Sequence, residues 1–523
     1  MAPDIGNNAS GADCERKEQL VETVPVAEVN CDNLNIIWPQ LIDSIKKAQL
    51  ISIDLVVGLA RERVACAQCP RVGIATFQFN GIDTDQRREL RYKCRVFDLL
   101  ALEERPFVVE PEALQFLSSH GFDFNRVLTH GIRYSKTDSK GGAFHSLWEE
   151  IIASGVCIAF HNGLTDLAFL HEHFYAPLPE LCDQFVANLA DWFGEREATD
   201  DYYAMDCALW DSKYLAEHQQ AQAFSCTYLD YVFRKAQRDN QRFFQNEKPH
   251  LTVKFAKLRR NVRQVTKFSQ LNCGLKESFM SGDLANVQKQ MLCQSYAQFG
   301  HCRYRMNCDK EHDVDFLLDL EDKRAQIRRE RERRRRAKKE GANEKEESNA
   351  GGEDEEEESE EGSSGGGEGK KSGTKRKRGD DLQQGANDSI KVIKEVDHGS
   401  APLSLDMPTR INRTVHVWTT SRGSHRAGMD AFMTGFAVLF FQLGHAYRNS
   451  GRLDCRLAGR IALPGKEFPL LIRKANFVTQ TESHQLNWAR VESRRRAFDR
   501  AKYARWTDDG REMRGADSDA KLH

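Results

Sequence analysis

Three acids and one histidine in this chain stand where carboxylates and an imidazole could do chemistry together. His425 lies five residues before Asp430, at the mouth of an apolar helical run from Ala431 to Leu443. From the first turn of a helix, that spacing can aim one imidazole and one carboxylate into the same cleft. The carboxylate can hold a divalent metal, and the imidazole can take a proton from a metal-bound water. A helix cap uses the same residue types, so the pair gains weight only from the acids upstream. Asp54 lies inside Leu50 to Leu59, a β-branched stretch apolar on both faces that reads as a central buried strand. A carboxylate there is costly unless something charged pairs with it, and a strand-end cap is the plainer alternative. Asp166 follows a second apolar stretch, Ile151 to Phe160, at a strand-to-helix turn in His161-Asn162-Gly163-Leu164-Thr165-Asp166. Open sheets place ligand groups at such turns.

The spacing Cys293-x8-Cys302-x5-Cys308-x3-His312 is the strongest local signal. Four soft ligands at this spacing can close a tetrahedral zinc site over a segment too short for its own core. Zinc would then contribute most of the folding energy, on the order of 10–16 kcal/mol. Tyr296, Phe299 and Tyr304 lie among the ligands, with Arg303 and Arg305. Aromatics interleaved with arginines can stack and charge-pair single-stranded RNA, and a purely structural finger is the alternative. Cys66-Ala67-Gln68-Cys69 has CxxC spacing with no second pair beside it, and reads as non-ligand.

The elements that must position these groups follow from periodicity. Asn33 to Ile45 has helical spacing, Arg71 to Phe79 and Cys94 to Leu99 read as further strands, and Pro111 to His120 as a short helix. Trp210 to Tyr214 and a helix from Tyr228 to Lys235 close this block. Residues 234–263 are basic and polar, either a solvated face or one turned to RNA. Val415 to Thr419 reads as a strand, Arg456 to Leu463 and Phe468 to Ile472 as edge structure, and Arg490 to Trp506 as a basic amphipathic helix.

The net charge of -2 averages basic and acidic blocks, and with 29% charged and 40% hydrophobic residues part of the chain is expected not to fold. Arg333-Arg334-Arg335-Arg336 and Lys375-Arg376-Lys377-Arg378 flank an acidic, glycine-rich tract and suggest nuclear import or RNA contact. Met1 to Lys17 shows no apolar secretory core, and Ala431 to Leu443 is too short to span a membrane. The 14 scattered cysteines then fit a reduced intracellular compartment with no membrane partner. The expected partition is a disordered N-terminus at 1–24, a first part of the main domain at 25–240 and a basic connector at 241–285. After these come the finger at 286–320, a disordered charged segment at 321–400, the second part of the main domain at 401–480 and a basic tail at 481–523.

Taken in order, Asp54, Asp166 and Asp430, with His425 before the last, resemble the acid set of the DEDDh-type 3′-to-5′ exonucleases. Ile51 to Asp54, His161 to Leu167, Trp210 to Tyr214, His425 to Asp430, Gly121 to Asn125 and Gly131 to Tyr134 are similar to the motifs of their CAF/PARN deadenylase family. The CCCH finger before the last motif resembles the nuclear, zinc-finger-carrying branch of that family. The resemblance implies an α/β fold, an RNase H-like mixed-sheet domain split by the insertion that carries the finger and the disordered charged segment. It implies removal of 3′-terminal adenosines from RNA, and for this branch the trimming of small nuclear RNA precursors in the nucleus and its Cajal bodies, among RNA-processing machinery. By position, Asp54, Asp166 and Asp430 would hold two Mg²⁺ ions, with one Zn²⁺ in the finger, and His425 would orient or deprotonate the attacking water. The family's Asp-x-Glu is Asp54-Leu55-Val56 here, and the stretch to Pro70 is short. One ligand is therefore absent and one metal is expected to bind weakly. The alternative is a catalytically weakened RNA-binding or scaffold paralogue.

Overall fold

The computed structural model describes residues 19–56, 70–85, 88–106, 111–119, 122–136, 142–193, 208–218, 224–275, 292–304, 307–349, 427–474 and 476–497. The chain divides into two units, residues 1–327 with 419–523, and residues 328–418. In the second unit the described residues, 328–349, are helical.

The first unit is built on an 11-stranded mixed sheet. Its strands are β1 (Thr23–Val29), β2 (Leu50–Val56), β3 (Arg71–Asp83), β4 (Glu89–Glu103), β5 (Ile132–Tyr134), β6 (Cys157–Phe160), β7 (Leu209–Asp211), β8 (His250–Phe255), β9 (Phe268–Asn272), β10 (Arg460–Ile461) and β11 (Leu470–Leu471). Their order is β11-β10-β7-β6-β2-β3-β4-β1-β9, with β5 and β8 also pairing to β4. β2, β3 and β4 form an antiparallel meander, and β6 and β7 join β2 in parallel. Alternation along the strands gives the sheet two apolar faces. One, with Ile51, Ile53, Ile74 and Phe97, is covered by the helices Leu34–Lys47, Ala143–Ala153, Leu164–Phe174 and Cys182–Phe193. The other, with Leu50, Ala75, Phe77 and Val96, is covered by Ala427–Arg448.

That last helix is apolar all round, and such a helix belongs in a core. Its 22 residues are enough by length and composition to cross a bilayer, beyond what the run Ala431 to Leu443 suggests, yet 83% of its most apolar window is buried inside the protein. Close approach fixes its position. A Cβ on Gly435 would lie 2.2 Å from Phe77 Cε2 and 2.6 Å from Ser52 Oγ. The Ser52 hydroxyl donates to the Ala431 carbonyl at 2.5 Å.

Several expectations are corrected. Residues 241–285 are not a connector: β8 pairs with β4 and β9 with β1, so sheet continues well past residue 240. The lysines of this stretch hide an apolar alternation, in which Leu251 and Val253 point into the core. Ile151 and Ile152 close the helix Ala143–Ala153, and only Cys157–Phe160 is strand. The charged segment expected to be disordered from residue 321 is helical as far as Asn349, within Val314–Asn349. Arginine, glutamate, lysine and alanine are strong helix formers, and their interleaved charges support one another three and four residues apart. Over 482–497 the expected tail is a helix seated on the rest of the first unit. His484, fully buried, bonds Asp191 Oδ2 at 3.0 Å and the Tyr175 hydroxyl at 3.1 Å, and Arg495 donates to the Ile152 carbonyl at 2.7 Å. The expected strand at Val415 to Thr419 and the pair Cys66 and Cys69 lie outside the described residues.

Overpacking a tight core contact costs typically about 1–3 kcal/mol. Gly435→Ala is expected to destabilise the protein by that amount, read as a lowered urea midpoint with unchanged slope. An unchanged midpoint would show that the helix can move off the sheet freely.

Candidate active site

β2 delivers Asp54 near its carboxyl end, on the face covered by Ala427–Arg448. Asp54 stands opposite Gly73, and Gly73 opposite Asp98, so the three form one row across β2, β3 and β4. The missing side chain in the middle of that row matters. A Cβ on Gly73 would lie 1.9 Å from the Ala427 carbonyl carbon and 2.4 Å from the Gly428 nitrogen. Gly73 thus lets the start of the helix lie directly on the sheet, and the first turn carries Asp430. β6 runs parallel to β2 and ends at the same edge, where its following helix carries Asp166 in the first turn. Asp166 Oδ1 accepts the Leu55 N–H at 3.1 Å, which ties that helix to the strand beside Asp54.

The turn before Asp166 is held by a residue whose role spacing does not reveal. Asp211, buried at the end of β7, accepts N–H groups from Asn162 at 2.9 Å, Gly163 at 3.3 Å, Lys213 at 2.9 Å and Ala462 at 3.0 Å. Asn162 takes a left-handed conformation there, with φ of 58°. His161 Nδ1 bonds the Ser212 hydroxyl at 2.8 Å, and burial, then the charge of Lys213, pulls this imidazole down to about 3. It is neutral at working pH.

All three acids are half-buried. Burial, and then the charges of Asp166 and Asp98, push Asp54 well above the usual carboxylate range. Burial raises Asp166 to about 7, against the pull of its N–H bonds. Asp430 is raised by burial, then by Asp54, Asp230 and Asp98. Each carboxyl therefore holds its proton more tightly than a free one, and a cation placed among them would relieve that penalty. That is the electrostatic character of a divalent-metal site, and hard oxygen donors suit Mg²⁺. Val56 lies on the same face two residues beyond Asp54 and offers no oxygen. Opposite it stands Arg71, buried, which bonds Asp98 at 2.5 Å and lies 5.0 Å from the Phe122 ring centroid. His425, and Glu62 in the short stretch after Gly58, lie outside the described residues.

The four finger residues come together: ligand atoms of Cys293, Cys302, Cys308 and His312 lie within 4.8 Å of one another. His312 Nε2 is buried with no hydrogen-bond partner, as a metal-ligating nitrogen would be. The helix Gln294–Phe299 ends on Gly300 in the left-handed region, and the Cys293 N–H donates to the Glu311 carbonyl at 3.1 Å to close the loop. The donor set and enclosure fit Zn²⁺. Tyr296 faces inward, its ring stacked on His312 at 4.9 Å and packed beside Tyr228. Phe299 and Tyr304 are exposed, and the Arg303 guanidinium lies 5.0 Å from the Tyr304 centroid. Arg305 lies outside the described residues, as do Lys375, Arg376, Lys377 and Arg378; Arg333, Arg334, Arg335 and Arg336 are exposed.

The finger does not hang from a tether. Leu292, Val314, Leu317, Leu318 and Leu320 share one apolar cluster with Tyr231, Val232 and Ala437, the last on the helix of Asp430. Arg238 donates to Asp319 at 2.6 Å and Asp315 at 2.9 Å, and Arg234 donates to the Cys273 carbonyl at 2.7 Å. Part of the basic face expected over 234–263 therefore serves docking.

Two outcomes follow from these energetics. The folded acids bind protons more tightly than unfolded ones, so the native state holds more protons between pH 3.8 and about 7. Stability of the metal-free protein is therefore expected to fall as pH rises through that window, and to recover when Mg²⁺ is added near pH 8. Asp54→Asn should raise the metal-free melting temperature at pH 8, as scanning calorimetry would show, and weaken the recovery on adding Mg²⁺. Because the finger shares a cluster with Ala437, Cys302→Ser should lower the melting temperature of the whole first unit. Loss confined to a separate small transition would contradict that coupling.

A sequence-family comparison agrees with this placement. The model described as CAF1 family ribonuclease matches residues 60–143 and 136–438, a span that holds Asp166, the finger and Asp430. Among solved structures, the RNase domain of the yeast Pop2 protein is 13% identical, covering 40% of this chain and 76% of that one, with a TM-score of 0.28. The S. pombe Pop2p structure described as its Mg²⁺ and Mn²⁺ bound form is 16% identical, covering 41% and 82%, with a TM-score of 0.29. A chain of the yeast NOT1 MIF4G domain co-crystallized with CAF1 is 13% identical, covering 40% and 77%, with a TM-score of 0.27. The family match spans well over half of the sequence, so the chain belongs to the CAF1 ribonuclease family.

Proposed function

We propose that this protein is a Mg²⁺-dependent 3′-to-5′ exoribonuclease of the DEDDh type, a deadenylase that trims 3′ ends of nuclear RNAs such as small nuclear RNA precursors. The observation that carries the reading is the placement of Asp54, Asp166 and Asp430 at one end of the sheet, on β2 and on the first turns of the helices Leu164–Phe174 and Ala427–Arg448, with Asp166 bonded to the Leu55 N–H. Burial raises all three carboxyls, and in two of them one another's charge does so too. These residues would hold the metal. When bound, a pair of divalent ions clamps the attacking and leaving oxygens of a phosphodiester. The chain's own groups do the positioning: the Leu55 N–H aims Asp166, Ser52 and Gly73 set the helix that carries Asp430, and Asp211 holds the turn at Asn162. His425 is assigned the attacking water, which it would orient or deprotonate. Phe299, Tyr304 and Arg303 offer exposed stacking and charge for a single strand, and the exposed arginines 333–336 suit import into the nucleus.

Val56 supports the second reading, a weakened enzyme retained for RNA binding or scaffolding. Three carboxylates balance fewer than the four positive charges of two Mg²⁺ ions, and the neighbour across the strand is Arg71 rather than an acid. The test of both is incubation of purified protein and Mg²⁺ with a 3′-oligoadenylated RNA, resolved on a gel beside Asp430→Ala. Stepwise shortening from the 3′ end, absent in the variant, is the expected result. Val56→Glu should increase trimming and lower the Mn²⁺ concentration it needs. Residues directly opposite on paired strands sit roughly 4.5–5.5 Å apart at Cβ, so a Glu drawn to Arg71 instead would give no gain. No shortening by either protein would leave the scaffold reading.

A further inference from the structure

We propose that Cys31, Asp32 and His130 form a second zinc site, distinct from the finger and from the carboxylate cluster. One ligand atom from each lies within 4.8 Å of the others. His130 Nδ1 is 2.7 Å from Asp32 Oδ2, and Cys31 Sγ is 3.6 Å from Asp32 Oδ1. A thiolate, an imidazole and a carboxylate at such separations need little movement to share one tetrahedral ion, with water in the fourth position. The mixed soft donor set selects zinc over Mg²⁺, for which a single carboxylate is a poor site.

The three residues come from segments far apart in the sequence, and their meeting is built. Cys31 and Asp32 lie in the turn between β1 and the helix Leu34–Lys47. Asn30 and Asn33, both buried, brace that turn: Asn33 Oδ1 accepts the Asn30 N–H at 2.9 Å, and Asn30 Oδ1 accepts the Asp32 N–H at 3.1 Å. Asn33 Nδ2 also donates to the Glu28 carbonyl at 2.9 Å. His130 ends the helix Phe124–His130, which Asp123 caps through the Arg126 N–H at 3.0 Å. Arg126 Nε bonds Glu28 at 2.8 Å and pins that helix to β1. The Cys31 N–H then donates to the His130 carbonyl at 3.0 Å, bringing the backbones together directly beside the proposed ligands. The ordering entropy of the site is already met by these bonds, so an arriving ion displaces the proton of the Cys31 thiol and takes the Nδ1 lone pair of a neutral His130, the ring proton residing on Nε2. Bound there, it would cross-link the β1 turn to the helix Phe124–His130.

Cobalt(II) titration of the full chain, stripped of metal under reducing conditions, tests this. Thiolate-to-cobalt charge transfer reports only sulfur-ligated sites, so the carboxylate cluster is silent. The wild-type band is expected to grow through two equivalents, and to saturate at one in Cys31→Ser and in His130→Ala. Zinc content by atomic emission should fall by one equivalent in each. All three ligands are at least partly exposed, so the variants should fold. Saturation of wild type at one equivalent, or an undiminished second equivalent in Cys31→Ser, would overturn the proposal.

Discussion

The active-site half of the molecule depends on one close contact, the backbone of the helix Ala427–Arg448 laid on β2 and β3. Gly73 and Gly435 are points where an added Cβ would force helix and sheet apart. Between them the Ser52 hydroxyl bonds the Ala431 carbonyl. With this contact the sheet face bearing Leu50, Ala75 and Phe77 is dry and Asp430 stands by Asp54. Without it that face is bare, and two of the acids lose the third. The same helix touches the finger's cluster through Ala437, so the finger and the acids are packed against one shared element.

The acids themselves are a strained arrangement. Burial penalises each charge, and proximity penalises Asp54 and Asp430 again. The fold tolerates this because its hydrogen bonds hold the carriers rather than the charges: Leu55 to Asp166, Asp211 to the turn at Asn162. The Arg71–Asp98 pair, in the strands next to Asp54, is by contrast neutral as a unit. The site is left wanting a cation at one place and already holds one at another.

Much of this could be read from the sequence, for definite reasons. An acid inside an apolar β-branched run is conspicuous, which exposed Asp54, and four soft ligands at short spacings exposed the finger. What could not be read was context. Gly73 is one glycine in an alternating strand, and only the approach of Ala427 gives it meaning. Asp211 sat in a visible motif, but its five-way grip on backbone N–H groups is tertiary. Ile151 and Ile152 joined by periodicity to the next strand, because a short apolar run carries no sign of helix or strand. β8 was masked because His250, Thr252 and Lys254 interleave its apolar Leu251, Val253 and Phe255, and β9 because none of its five residues is buried.

The route of the chain through the sheet also has a consequence for biosynthesis. Strands β1 to β9 are complete by residue 272, but the helix that covers one of their faces begins at Ala427 and β10 at Arg460. At roughly 5–20 residues per second, a ribosome needs on the order of ten to thirty seconds to cross that interval. For that time the nascent sheet presents Leu50, Ala75, Phe77 and Val96 uncovered. The insertion therefore sets a waiting period during translation, and the growing chain must be kept from aggregating until its own last fifth arrives.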